Sequence, residues 1–352
     1  MDPDKGDQSG AIHVERREVA EASSSKSDAS NVEHAYGQPD THGAGLKKDP
    51  DAYPEWPDLP KDHPLVKFEA ALPAVLQSAG DNEIWGFRLR HMETDPKRRF
   101  QSRNILQKFL RANANNVDRA ALQLIQTLKW RSEFEASHTI LETFNKNRFG
   151  GVGYITTIDD PNKDENKVVI TWNIYGSVKD NQNTFGDVDG FLRWRVALME
   201  MAMKELNFNA GRAVIPDYGC GPDPYQIIQV HDYLSVNFFS MDSSVRASSK
   251  RVIEVFRDHY PEMLARKFFV NVPVVMGWVY GTMKLLLPAA TTNKFTFMSY
   301  GNQLAKEIGE AIPEVYGGKG AALDKINLAP KLSDKYSKYP EHEEEGKGKA
   351  VS

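Results

Sequence analysis

The sequence predicts an α/β fold, with a helical N-terminal region followed by a mixed, largely parallel sheet and covering helices. Three observations lead there. From Tyr225 onward, apolar strands and helical stretches alternate, and a strand–helix–strand–helix–strand order implies parallel crossovers. Residues 152–158 and 167–174 flank Asp-Asp-Pro-Asn-Lys-Asp, which is turn chemistry, so they form a hairpin. Between 64 and 136, apolar residues recur at helical spacing.

Taken in order, residues 1–62 are polar, with Ser23-Ser24-Ser25 and many isolated charges, and bury too little apolar surface to offset chain entropy. A disordered tail is expected there, and a second over 329–352, which contains Glu-His-Glu-Glu-Glu-Gly-Lys-Gly-Lys. Within the helical region, 64–136, Ile105, Leu106, Phe109 and Leu110 share one apolar face, and Ala120, Leu124 and Leu128 lead to Trp130-Arg131 on the next. Asn116 and Asp118 suit an N-cap and first-turn acid. The α/β region, 150–322, holds the hairpin and then a helix over 188–206 with Phe191, Leu192, Trp194, Leu198 and Met199 on its apolar side. A continuous apolar strand follows over 225–231, then a helix over 243–259 stopped by Tyr260-Pro261. A strand over 268–272, a short helix that is apolar almost all round over 274–287 and a last strand over 295–299 complete it.

With 44 basic and 48 acidic side chains, the chain lacks the concentrated basic character of a nucleic-acid binder. Cys220 is the only cysteine, so no internal disulfide or cysteine-based zinc site can form, and a reducing compartment is expected. The start, Met-Asp-Pro-Asp-Lys-Gly-Asp, has no apolar h-region for secretion; Asp2 precludes myristoylation, and Lys-Ala-Val-Ser at the end has no cysteine to prenylate. Residues 268–290 approach the length of a bilayer span, ~20 residues, but Pro273 and Gly277 divide them into a strand and a helix too short to cross, so no transmembrane segment is expected.

Chemistry concentrates where the strand over 225–231 ends in His231, Asp232 and Tyr233. A pocket with this polar end and apolar walls suits a greasy ligand with a polar or ionic end; on the residues alone, a satisfied polar cluster at a strand end is the competing reading. Competing motifs fail. Gly150-Gly151-Val152-Gly153 lacks the Lys-Ser/Thr ending of a phosphate loop and precedes a strand. Cys220 sits in a loop with no base nearby in sequence, and Asp159-Asp160 lies in a turn, so neither supports hydrolase chemistry.

The run Ile-Leu-Gln-Lys-Phe-Leu-Arg-Ala-Asn (105–113), then Val-Asp-Arg-Ala (117–120) and Leu-Lys-Trp-Arg-Ser-Glu-Phe (128–134), resembles the helical N-terminal part of CRAL-TRIO proteins. Tyr260-Pro261-Glu262, Asn271-Val272-Pro273 and Tyr316-Gly317-Gly318 resemble the second part, so the likeness covers roughly 100–320. Thr171-Trp172-Asn173-Ile174-Tyr175-Gly176, Gln229-Val230-His231-Asp232-Tyr233 and Phe269-Val270-Asn271-Val272-Pro273 are similar to the fungal phosphatidylinositol transfer proteins of the fifth Sec-fourteen-homologue type.

The broad resemblance implies one lipid held on the sheet floor beneath an apolar gate helix, here 274–287, and peripheral contact with a membrane surface. The narrower one implies phosphatidylinositol as cargo and haem b as a second ligand, contacted by Tyr175, Arg195, His231, Tyr233 and Lys267. Tyr233 is the expected iron ligand, since tyrosinate favours ferric iron. His231, two residues earlier on the same sheet face, either orients that ligand or touches the iron. Arg195 and Lys267 either pair with propionates or lower the Tyr233 pKa, and Tyr175 either contacts the macrocycle or hydrogen-bonds near the iron. One arginine of Arg193-Trp194-Arg195 is expected to face solvent, and Arg266-Lys267 reads equally as a solvated rim. Lys284 matches a headgroup-contacting position, whereas Lys250-Arg251 departs from the acidic residue found near 251 in lipid-transferring relatives. A role in phosphoinositide homeostasis and oxidant stress, without enzymatic activity, is implied, in the cytoplasm and on endoplasmic reticulum or microsomal membranes. A peroxidase- or catalase-like haem enzyme and a plain lipid exchanger are the alternatives; the first lacks a visible distal acid/base pair.

Overall fold

The computed structural model describes residues 56–90, 94–159, 167–236, 243–273, 289–326 and 328–338. Helix α1 (Pro64–Ala79) starts with Pro64 at its first turn and ends at Gly80, whose φ of 74° only glycine adopts freely. The two-stranded turn β1 (Glu83–Ile84) and β2 (Phe87–Arg88) links it to α2 (Pro96–Ala112). Helix α3 (Val117–Phe134) is N-capped as expected, with Asn116 accepting from the Arg119 amide. These helices bury Leu65, Phe68, Leu72, Ile105, Leu106, Phe109, Leu110, Leu124 and Leu128 against one another.

Strand β3 (Thr143–Asn145) and the short α4 (Lys146–Phe149) lead into the main sheet. Its strands are β4 (Gly153–Asp159), β5 (Lys167–Ile174), β6 (Ile227–Asp232), β7 (Leu264–Val270) and β8 (Phe295–Met298), side by side in that order. Only β4–β5 is antiparallel, as the hairpin reading requires; β5–β6, β6–β7 and β7–β8 are parallel. Helices α5 (Asn181–Phe185), α6 (Val188–Glu205) and α7 (Ser243–His259) pack together, with α6 against β4 and β5. Trp194 on α6 and Gly153 on β4 set that approach: Trp194 is buried, and a Cβ at Gly153 would lie 2.5 Å from its ring.

The two sheet faces differ in chemistry. Ile170, Trp172, Val230, Phe268 and Val270 form an apolar layer with Leu304, Ile312 and Tyr316. On the opposite face, register aligns Thr171 with Gln229 and Lys267, and Asn173 with His231 and Phe269. A strand buried on both faces normally reads as continuous hydrophobics; here polar residues recur at alternate positions along the centre of one face.

Several boundaries differ from expectation. Strand β7 begins at Leu264, because Arg266 and Lys267 project to opposite faces of a real strand and do not form a solvated rim. Arg266 alone reaches that rim, pairing with Glu307 at 2.6 Å. Neither arginine around Trp194 faces solvent freely: Arg193 donates to Glu142 at 3.1 Å, and Arg195 is buried. Within the stretches expected to be tails, the described residues 56–62 and 329–338 make contacts. Trp56 packs against Phe100 in a tilted arrangement, with 6.1 Å between centroids. Residues Lys331–Ser333 form β9, parallel to β3, and Tyr336 donates to Glu142 at 2.9 Å. Backbone pairing between distant segments supplies the order that local composition lacked. The expected gate helix, 274–287, and Lys284 lie outside the described residues, as do 1–55 and 339–352 of the expected tails.

Candidate functional site

The polar sheet face gathers the five expected residues. Tyr175 follows β5 in a 3-10 turn, and Tyr233 follows β6. A Cβ at Gly176 would lie 2.0 Å from the Leu234 carbonyl oxygen, so the absent side chain lets the two turns close together. Tyr175 consequently lies 5.3 Å from the His231 ring and 5.5 Å from the Tyr233 ring, centroid to centroid. His231 and Tyr233 are 6.4 Å apart on one side of the sheet. Phe269 forms the wall beyond them, 5.6 Å from His231 and 6.3 Å from Tyr233, and stacks on Phe297 at 4.5 Å. Lys267 Nζ stands 5.3 Å from the centre of the Phe269 ring, and the Arg195 guanidinium, from α6, 5.5 Å from that of Phe256 on α7.

Asp232, between the two site residues in sequence, points to the other face. It accepts from Asn271 at 2.7 Å, from the Tyr316 hydroxyl at 2.7 Å and from the Leu234 amide at 2.8 Å. Asn271 Oδ1 in turn accepts from the Gly301 amide at 2.8 Å. This knot ties the ends of β6, β7 and β8 together, so Asp232 is a structural acceptor behind the site.

The electrostatics are those of a cationic, dehydrated site. His231 is held well below the usual imidazole range, first by burial and then by the charges of Lys267 and Arg195, so its ring is neutral at pH 7. Burial pushes the Tyr233 phenol strongly up, Tyr175 adds to this, and Arg195 opposes it. Tyr175 is raised by burial against the same Arg195 charge. Burial and then Arg195 push the Lys267 ammonium down to about 7. No carboxylate offsets this charge: among the described residues, Arg195 Nε and Nη1 and His231 Nε2 lack hydrogen-bond partners. Nor do the described residues hold a cluster of three or more His, Cys, Asp or Glu side chains.

The pH consequence is measurable. Below about 7, Lys267 is charged in folded and unfolded chains alike, and the folded state bears the full desolvation penalty. Above that, up to an unfolded value near 10.4, the unfolded chain binds the extra proton, so stability rises with pH. We expect Lys267→Met to be stabilised relative to the native chain at pH 6, with the advantage shrinking steadily toward pH 10 in urea unfolding. A difference constant across that window would contradict a desolvated ammonium.

The CRAL/TRIO domain matches residues 152–318, which span the whole polar face. Phosphatidylinositol transfer protein SFH5 of Phaeosphaeria nodorum is 49% identical over 278 residues, covering 79% of this chain and 82% of that protein. This chain belongs to the CRAL/TRIO family. A CRAL/TRIO relative from Cryptococcus neoformans var. neoformans serotype D, bearing the same protein name, is 45% identical, covering 77% of this chain and 91% of its own. The chain spans only 60% of the corresponding protein of Botryotinia fuckeliana, at 49% identity. The crystal structure of Sfh5 matches with a TM-score of 0.65 and 31% identity, over 77% of this chain and 93% of that one.

Within this CRAL/TRIO frame, the sequence reading missed the polar floor, Thr171, Asn173 and Gln229, and the aromatic walls, Phe256 and Phe269. The floor had a legible signal, since polar residues recur at every second position through strands otherwise built of Val, Ile and Trp. Phe269 had the same signal, two residues after Lys267 on β7; Phe256 had none, because only the tertiary fold brings α7 to this site.

Proposed function

We propose that this chain binds and exchanges phosphatidylinositol without enzymatic activity, and that its polar sheet face also accepts haem b through Tyr233. The names of the relatives carry the lipid half of this reading. One observation carries the haem half: Arg195 and Lys267, two cations without a carboxylate partner among the described residues, share a face with Tyr175, His231 and Tyr233. The donor set fits the group. Arg195 and Lys267 would take its propionates, Tyr175 and Phe269 would pack against the macrocycle, and Tyr233 would hold the iron. When bound, haem supplies a ferric centre for which a phenolate is a hard anionic ligand. Tyr233 must give up its proton to serve, and the Arg195 charge eases that loss. His231, neutral at pH 7, keeps a ring nitrogen able to accept a hydrogen bond or a metal.

Exchange requires docking at a membrane surface, and the reading places the protein in the cytoplasm with peripheral contact to endoplasmic reticulum or microsomal membranes, serving phosphoinositide homeostasis and the oxidant stress response. Among the described residues, no helix is long and apolar enough to cross a membrane.

The test is an absorption spectrum of the purified full chain, with iron quantified on the same sample after growth with adequate haem supply. A Soret band with near-stoichiometric iron is expected. A colourless, iron-free protein that still moves phosphatidylinositol between vesicles would leave a lipid exchanger alone.

A further inference from the structure

Buried polar groups in folded proteins are almost always hydrogen-bonded. On the polar face of this sheet, four side chains depart from that rule together: Thr171, Asn173 and His231 on the strands and Arg195 opposite, none more than 5% exposed. Thr171 Oγ1, Asn173 Oδ1, His231 Nε2, Arg195 Nε and Arg195 Nη1 have no partner among the described residues. Asn173 uses its amide nitrogen on the Val230 carbonyl at 3.3 Å, which leaves its oxygen over.

These groups are neighbours. Thr171 and Asn173 are alternate residues of β5 on one face, and Asn173 is in register with His231. Helix α6 packs on β5, and the charge of its Arg195 acts on His231, Tyr233 and Lys267. If the fold were the only demand, valine and leucine would serve better at 171 and 173, because an orphaned buried hydroxyl or amide destabilises. What the cluster has in excess is N–H and O–H donors and positive charge. The free Arg195 donors lie on two sides of the guanidinium, so they require two acceptors.

We infer that Thr171 and Asn173, with Arg195, form an inner oxyanion subsite that takes a carboxylate or phosphate oxygen of the bound ligand. The Thr171 hydroxyl donates to the oxyanion held by Arg195, and Asn173 Oδ1 accepts from the water or hydroxyl that accompanies it. This deepens the proposed function and rests on the ligand occupying this face. It adds two residues to the five expected there and makes the anionic end of the ligand its innermost part.

The test titrates the full-length protein and its Thr171→Val and Thr171→Ser variants with three probes. These are mesoporphyrin IX, followed by fluorescence, its dimethyl ester, and phosphatidylinositol supplied in phosphatidylcholine vesicles. Thermal unfolding reports folding. Thr171→Val should unfold no earlier than the native chain, since the lost hydroxyl has no partner among the described residues. It should bind mesoporphyrin about 10-fold or more weakly, the loss of a hydrogen bond to a charged group. The ester should be unaffected, and Thr171→Ser should restore the free acid. A loss confined to phosphatidylinositol would assign the same subsite to a phosphodiester. If native protein and Thr171→Val take up both free ligands equally, the subsite is refuted while the ligand reading survives. If the native protein takes up neither, both fall.

Discussion

Replacing Arg131 by methionine is expected to cost ~3–5 kcal/mol of stability, the largest effect of any single change considered, and far more than a surface ion pair would. Arg131 is 2% exposed at the C-terminal end of α3. Its guanidinium donates to both carboxylate oxygens of Glu200 on α6, at 2.7 and 3.0 Å, and to Glu83 on β1 at 3.1 and 3.2 Å. The Tyr260 hydroxyl, just beyond α7, donates to the same Glu200 at 2.5 Å, and burial and then Glu200 keep that phenol far above its usual range. One side chain thus joins the helical region to the two helices that cover the sheet. Methionine fills much of the space but leaves Glu200 buried without its cation, and that uncompensated charge accounts for most of the penalty. Two controls separate this from lost packing. Arg131→Lys keeps the charge but not the paired donation, and should fall between. Adding Glu200→Gln to Arg131→Met should cost less than the sum of the single changes, because the stranded charge is gone. Urea unfolding of the native chain, Arg131→Met, Arg131→Lys, Glu200→Gln and the double variant measures this, and strict additivity would refute the network as a unit.

Tyr233→Phe is expected to remove most bound iron, with at least a ~10-fold loss of iron per chain, while the protein stays folded. The ring can keep its place between Tyr175 and Phe269, 5.5 and 6.3 Å away, and only the oxygen is lost. Iron analysis and the Soret band of the variant, grown beside the native protein, decide the matter. Tyr175→Phe is the companion. Its phenol lies on the same face, and iron retained by this variant but lost from Tyr233→Phe assigns the ligand. A full haem load in Tyr233→Phe, lost instead on replacing His231, would move ligation to the imidazole, which is neutral and able to coordinate at pH 7.

The pairing of α2 with the loop before β6 shows where sequence reading stopped short. Lys108 lies between Gln107 and Phe109 in a helix whose apolar pattern was plain, and position alone marks it as a side chain at the helix edge. In the fold its ammonium is fully buried, donating to Asp223 at 2.7 Å and to the carbonyls of Tyr225 and Glu262 at 2.7 and 3.1 Å. Asn104, Gln107 and Arg111, from the same helix, donate to the segment 213–221. Partners more than a hundred residues away leave no periodic trace in a helix. The hairpin β4–β5 and helices α6 and α7 were legible, because alternation, turn residues and 3.6-residue spacing are local signals. Strand β9 was not, because three residues of ordinary composition become a strand only beside β3.

The sequence by itself determined the α/β class, the order of strands and helices and the motifs that place the chain among CRAL/TRIO proteins, because each depends on neighbours a few positions away. It also brought His231 and Tyr233 to one face, since strand geometry alone sets a period of two. Only the tertiary structure decided that Tyr175, Arg195 and Lys267 meet them there, that Asp232 turns away to tie the strand ends, and that the Thr171 hydroxyl and the Asn173 carbonyl oxygen are buried without a partner among the described residues. Those outcomes depend on sheet register and on which helix covers which face, and both follow from packing the whole core at once.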